Sequence, residues 1–121
     1  MTEVQVQGAR VTQLRYDHAV TVLIGDWCLR IEEPFLLRVG RAEWLVDPES
    51  GAERAEMLGV LHREVRRCVT QHDGSLALDL DAASLRVPAS EDYEAWTLTG
   101  PHGVQIVSLP GGGLATWGTA T

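Results

Sequence analysis

The chain has 121 residues, 45% of them hydrophobic and 22% charged, which fits one domain with its own core and excludes a disordered segment or a string of domains. Seventeen acidic residues against ten basic ones, all arginine, give a formal net charge of −7. Charge of this sign repels phosphate backbones and excludes a general nucleic-acid binder.

The one dense basic run, Arg63, Arg66 and Arg67, encloses Glu64 and reads as a solvated strand or helix end. The longest apolar run, Ala19 to Ile24, is far shorter than the roughly 18 residues of a membrane helix. The first residues lack the basic patch and apolar core of a signal peptide. The expectation is a cytoplasmic protein, one domain over 1–121, with frayed ends at 1–3 and 118–121. Cys28 and Cys68 are then expected as reduced, small hydrophobes.

In chain order, Val4, Val6 and Val11 alternate with polar residues and open a strand. Ala19–Ile24 is β-branched and apolar on both faces, as in a central strand. Gly25–Asp26 is a turn, and Trp27, Leu29 and Ile31 follow at period two, completing a hairpin that Pro34 ends. Phe35, Leu37 and Val39 form another strand, Gly40–Arg41 a turn, and Glu43–Val46 pairs back. The breaker cluster from Asp47 to Gly51 precedes Ala52, Ala55, Leu58 and Leu61 at helical spacing, which predicts a helix over 51–61 with its apolar stripe on the sheet.

Strands then resume. Val65–Gln71 leads into His72–Ser75, where Asp73-Gly74 is a hairpin turn. Leu76, Leu78 and Leu80 face one way; Ala77, Asp79 and Asp81 face the other. Asp81–Ser84 turns into Leu85–Val87, and Pro88–Asp92 is a loop. Ala95–Thr99, a turn over 100–103, Val104–Ser108, a turn over 109–113 and Leu114–Trp117 complete the chain. The predicted class is α+β: mostly antiparallel sheet of roughly eight to ten short strands, with one short helix packed on it.

Asp73-Gly74-Ser75-Leu76, Tyr93-Glu94-Ala95-Trp96, Gly100-Pro101-His102-Gly103 and the run from Pro110 to Trp117 together resemble an actinobacterial family of small proteins of unknown function. The resemblance spans 73–117 and departs at Asp81-Ala82-Ala83-Ser84, where the family has an Asp-Gly-like turn. It implies a compact α+β fold and carries over no activity, cofactor or catalytic residue. The chain is more distantly similar to bacterial immunity proteins, small acidic partners that neutralise toxins.

No catalytic constellation stands out. Cys68 and His72 lie four residues apart on a predicted strand, about 13 Å along it, whereas a nucleophile–base dyad needs roughly 3 Å. The histidines and cysteines lack paired zinc spacing, and Asp73, Asp79 and Asp81 lack the EF-hand pattern. Pro110–Gly113 precedes a predicted strand instead of a helix, so its glycines read as turn formers and not as a phosphate cradle.

Glu94 and Trp96 alternate onto one face, where the carboxylate would be buried beside the indole and accept N–H bonds from the glycine-rich turn. The candidate cleft is Tyr93, Glu94, Trp96, His102 and Trp117. No catalytic, cofactor or metal residue is assigned. The expected function is a non-catalytic binding module for a basic protein, in its sharpest form an immunity-type inhibitor, with self-association through an edge strand compatible. The alternative is a small-molecule site or small enzyme using Glu94, His102 or Asp92.

Overall fold

A computed structural model describes residues 1–6 and 8–118. Hydrophobic alternation dominates: among the described residues twelve strands arrange in two six-stranded antiparallel sheets, more strands than the eight to ten expected. The first sheet runs β1 (Thr2–Glu3), β7 (Val65–Thr70), β8 (Leu76–Leu80), β9 (Ala83–Val87), β5 (Phe35–Val39), β6 (Ala42–Val46). The second runs β12 (Leu114–Trp117), β11 (Gln105–Ser108), β10 (Trp96–Thr99), β4 (Trp27–Ile31), β3 (Val20–Ile24), β2 (Val11–Tyr16).

Inward residues of both sheets form one contiguous core. Leu37, Leu78 and Leu85 from the first are buried with Val22, Leu29 and Leu98 from the second. This is the period-two pattern of a sandwich. The predicted hairpins at Gly25–Asp26, Gly40–Arg41 and Asp73–Gly74 are all present. The Asp81 turn is tighter than expected: Leu80 pairs with Ala83, so two residues make the loop and Ala82 takes φ +55°.

The amino terminus, expected to fray, is anchored: Thr2 and Glu3 pair with Thr70 and Val69. Residues 119–121 of the other expected frayed end lie outside the described residues. The chain then changes sheets. The Gly8 and Val11 N–H groups donate to Val65 and Arg63 carbonyls, and those of His62 and Val65 donate back to Val11 and Ala9. Main-chain bonds thus stitch the two sheets together along one side.

The expected eleven-residue helix is not formed. A single turn, α1 (Arg54–Met57), runs into a 3₁₀ turn at Leu58–Val60. Left-handed backbone at Gly51 (φ +73°) and Glu53 (φ +61°) blocks an earlier start. Gly59 closes the other end, pressed so near Val39 that a Cβ would lie 2.9 Å from its methyl. The buried positions are Met57 and Val60, not the predicted stripe, and Leu58 is 59% exposed. Burying a side chain such as Met57 contributes about 1.5–3 kcal/mol, enough to dock one turn that would not be stable alone.

Arg63 secures the junction that follows. Its guanidinium donates to the carbonyls of Gly59 and Asp81 and to the Asp81 carboxylate, whose other oxygen accepts the Glu64 N–H. The Glu64 amide, seconded by Arg63, holds the Asp81 carboxyl below the usual range. No helix among the described residues is long and apolar enough to cross a membrane.

Candidate functional site

β10 organises both the centre of the second sheet and the loops at its ends. Trp96, its first residue, is fully buried. Its indole N–H donates to the Gly74 carbonyl at 2.9 Å, and the Ser108 hydroxyl donates to the same oxygen at 2.7 Å. Gly74 has φ +91°, and Gly113 backbone atoms lie within about 3 Å of where its Cβ would stand. The glycine-rich turn is therefore packing material for the Asp73–Gly74 turn, and strand β12 follows it. The expected Glu94 lock is corrected: Glu94 is exposed, and the buried donor is the indole itself, received by a carbonyl of the first sheet.

The five cleft residues do not converge. Tyr93 and Glu94 precede β10, while His102 lies in the turn after it and Trp117 pairs with Gln105 at that far end. Four strand residues span about 13 Å, which separates the pairs, and Trp96 between them points into the core. Trp117 is 54% exposed and His102 exposed.

Tyr93 and Glu94 instead join residues that sequence reasoning missed. With His18, Glu32, Glu33 and Glu49 they line a groove of about 470 Å³. Each reaches it by local structure. The Asp17 carboxylate accepts the Ala19 N–H at 2.7 Å, shaping the β2–β3 loop that carries His18. The Glu32 N–H donates to the Ala95 carbonyl, extending the β4–β10 ladder. Asp47 accepts the Glu49 N–H. Ser90 holds the opposite wall: its hydroxyl donates to Glu33 at 3.0 Å and accepts the Asp92 and Tyr93 N–H groups, while its carbonyl accepts from Gly111. Asp92 thus serves the loop and does not line the groove.

The groove is electronegative. Its described lining holds no arginine, and Arg30 stands beside it, 3.3 Å from Asp17 and 3.7 Å from Glu32. The Ala19 N–H, then Arg30, hold the Asp17 carboxyl below its ordinary range, so it stays anionic. Tyr93 offers a phenol that is 65% exposed. No group of three His, Cys, Asp or Glu side chains among the described residues is arranged to hold a metal ion.

The geometry also settles Cys68 and His72. Cys68 pairs with Leu78 and faces the core, where burial pushes its thiol up to about 12, while His72 is exposed on the turn. Both cysteines are free. A thiol reagent at pH 8 is expected to label Cys28 in the folded chain and both cysteines only after unfolding; rapid labelling of Cys68 in the native state would contradict its burial. The same shift makes stability fall as pH rises from about 9 towards about 12, because the unfolded thiol ionises first.

A second hollow, about 350 Å³ and largely apolar, lies on the outer face of the first sheet between Pro34, Leu36, Leu45, Ala77, Arg86 and Pro88. Arg86 is held there by Asp79 at 2.7 Å.

The chain belongs to the family of unknown function DUF6188. The match covers residues 2–118, every described strand of both sheets and all six groove residues. No curated protein and no solved structure matches the chain. Membership thus fixes a kinship for the whole sandwich and leaves the chemistry of its grooves to be argued from geometry.

Proposed function

We propose that this protein is a non-catalytic binding module whose acidic groove receives a basic segment of a protein partner. The observation that supports it is the convergence of Glu32, Glu33, Glu49 and Glu94 with His18 and Tyr93 in one concave site. Carboxylates on separate loops can each meet an arginine or lysine, and the exposed Tyr93 ring adds a face for a cation. The net charge of −7 steers a basic partner towards this surface. An immunity-type inhibitor that covers a basic toxin is the most specific form of this reading.

The second reading, a small cationic ligand, is favoured by one observation: about 470 Å³ lies within the roughly 300–1,000 Å³ of small-molecule sites. A pull-down from native lysate at low and high salt separates the two. The first reading expects a basic protein retained at low salt and released at high salt. Replacing Glu49 and Glu94 with lysine, both exposed and away from the core, should weaken retention by roughly tenfold or more. Equal retention by the double variant would remove the groove from the interaction. Loss of all retained protein, with a thermal shift caused by polyamines or arginine, would favour the second reading.

A further inference from the structure

The edges of the two sheets are not alike. β1 has two residues; β2 carries a bulge between Val11 and Gln13, and at Tyr16 the Arg54 guanidinium lies 5.3 Å over the ring. β6 has no such protection. Ala42–Val46 contains no proline, bulge or inward-facing charge. Gly40–Arg41 is a two-residue loop, so Val39–Ala42 is a hydrogen-bonded pair and, by alternation, so is Leu37–Trp44. The N–H and C=O groups of Glu43 and Leu45 therefore point away from β5, with no strand beyond them. On the outer face Leu45 is 63% exposed beside its cross-strand neighbour Leu36, 47% exposed.

We propose that β6 pairs antiparallel with β6 of a second copy of this chain, across a two-fold axis at Trp44. The segment is self-complementary about that residue. Trp44 meets Trp44 of the second copy once, on the axis, while Ala42 meets Val46, Glu43 meets Leu45 and Arg41 meets Asp47, each twice by symmetry. The outward N–H and C=O groups of Glu43 and Leu45 become the hydrogen-bonded pairs. The two Trp44 residues fall at a non-hydrogen-bonded pair, where side chains approach closest.

Charge selects this register. A shift of two positions one way sets Glu43 opposite Asp47, and the other way sets Glu43 opposite Glu43 of the second copy. Like charges directly opposite are destabilising. In the Trp44 register no like charges oppose. Arg41 is exposed and has no intramolecular ion pair among the described residues. Asp47 spends one oxygen on Glu49 and keeps the other for it. The two Leu45 side chains become diagonal neighbours, so Leu36 and Leu45 of both copies gather beside the axis. This surface involves none of the acidic-groove residues, and its failure would leave that reading untouched.

Sedimentation of the intact chain over a concentration series tests the pairing. The expected species has twice the 13.2 kDa chain mass and dissociates on dilution. Arg41→Asp, which opposes Asp47, and Leu45→Glu, which opposes Glu43, should each weaken association by roughly tenfold or more. Both sites are exposed, and circular dichroism checks that each variant is folded. An equimolar mixture of Arg41→Asp and Asp47→Arg chains should recover the dimer, because each copy then meets opposite charge at both ends. A wild-type chain that stays monomeric at every concentration overturns the proposal. So does a dimer unaffected by Arg41→Asp and Leu45→Glu. Failure of the mixture to recover, with both single variants folded, overturns the register.

Discussion

Replacing Gly74 with alanine is expected to lower the unfolding free energy by about 3 kcal/mol, from two sources that act together. The first is conformational: φ is +91°, where a Cβ is disfavoured. The second is steric: the new methyl would lie 2.9 Å from the Gly113 carbonyl oxygen and 3.0 Å from the Ala89 Cβ, and a backbone oxygen cannot swing aside as a flexible side chain would. Gly111 is the control. It has φ +78° with nothing within 4 Å, so Gly111→Ala bears only the conformational cost, about 1 kcal/mol. Urea unfolding of both variants measures the difference, with the slope m unchanged. Equal losses at the two positions would mean that the packing of the glycine-rich turn on Gly74 contributes nothing.

Truncating Trp96 to alanine should cost about 3–5 kcal/mol, since it empties a fully buried indole site. The more informative variant is Trp96→Phe, which keeps most of the ring and removes the N–H donated to Gly74. Ser108 still serves that carbonyl, so the loss should be about 1–2 kcal/mol. Ser108→Ala should behave alike. The pair together leaves the Gly74 oxygen buried and bare, so the double variant should lose more than the sum of the single losses. Simple additivity in that cycle would show that the two donors do not share one acceptor in solution.

Much of the hairpin structure could be read directly from the chain. Hairpins such as those at Gly25–Asp26 and Asp73–Gly74 are written locally: turn residues between runs of period two. The place of the one short helix was legible, but its extent and buried face were not. Ala52, Ala55, Leu58 and Leu61 carry helical spacing, yet Gly51 and Glu53 adopt left-handed backbone and Gly59 must pack on Val39, contacts that belong to tertiary structure. β2 was also missed, because Thr12, Gln13 and Arg15 leave only Leu14 and Tyr16 to mark its period.

The groove was half legible for a related reason. Tyr93 and Glu94 stood out as part of a motif. His18, Glu32 and Glu49 are ordinary loop residues until β10 is laid beside β4, in the register Trp96 to Ile31, which brings their loops to one end. Strand order is a property of the closed sandwich, and no local pattern encodes it. The aromatic content of Trp96 and Trp117 suggested one cluster; strand direction sent one into the core and the other to an exposed edge.

The ladders joining β1 to β7 and β4 to β10 have a consequence for synthesis on the ribosome. Early strands such as β4 emerge long before the partners that complete their ladders. The hairpins of the first half can form as they appear, but the N-terminal strand waits for β7, and the second sheet remains divided until β10 and the turn behind it have left the exit tunnel. Such long-range closure is slow and exposes unsatisfied strand edges meanwhile. A newborn chain that stalls before residue 96 would present the edge of β4 unpaired, which makes the last quarter of the sequence the part that decides whether the nascent protein stays out of aggregates.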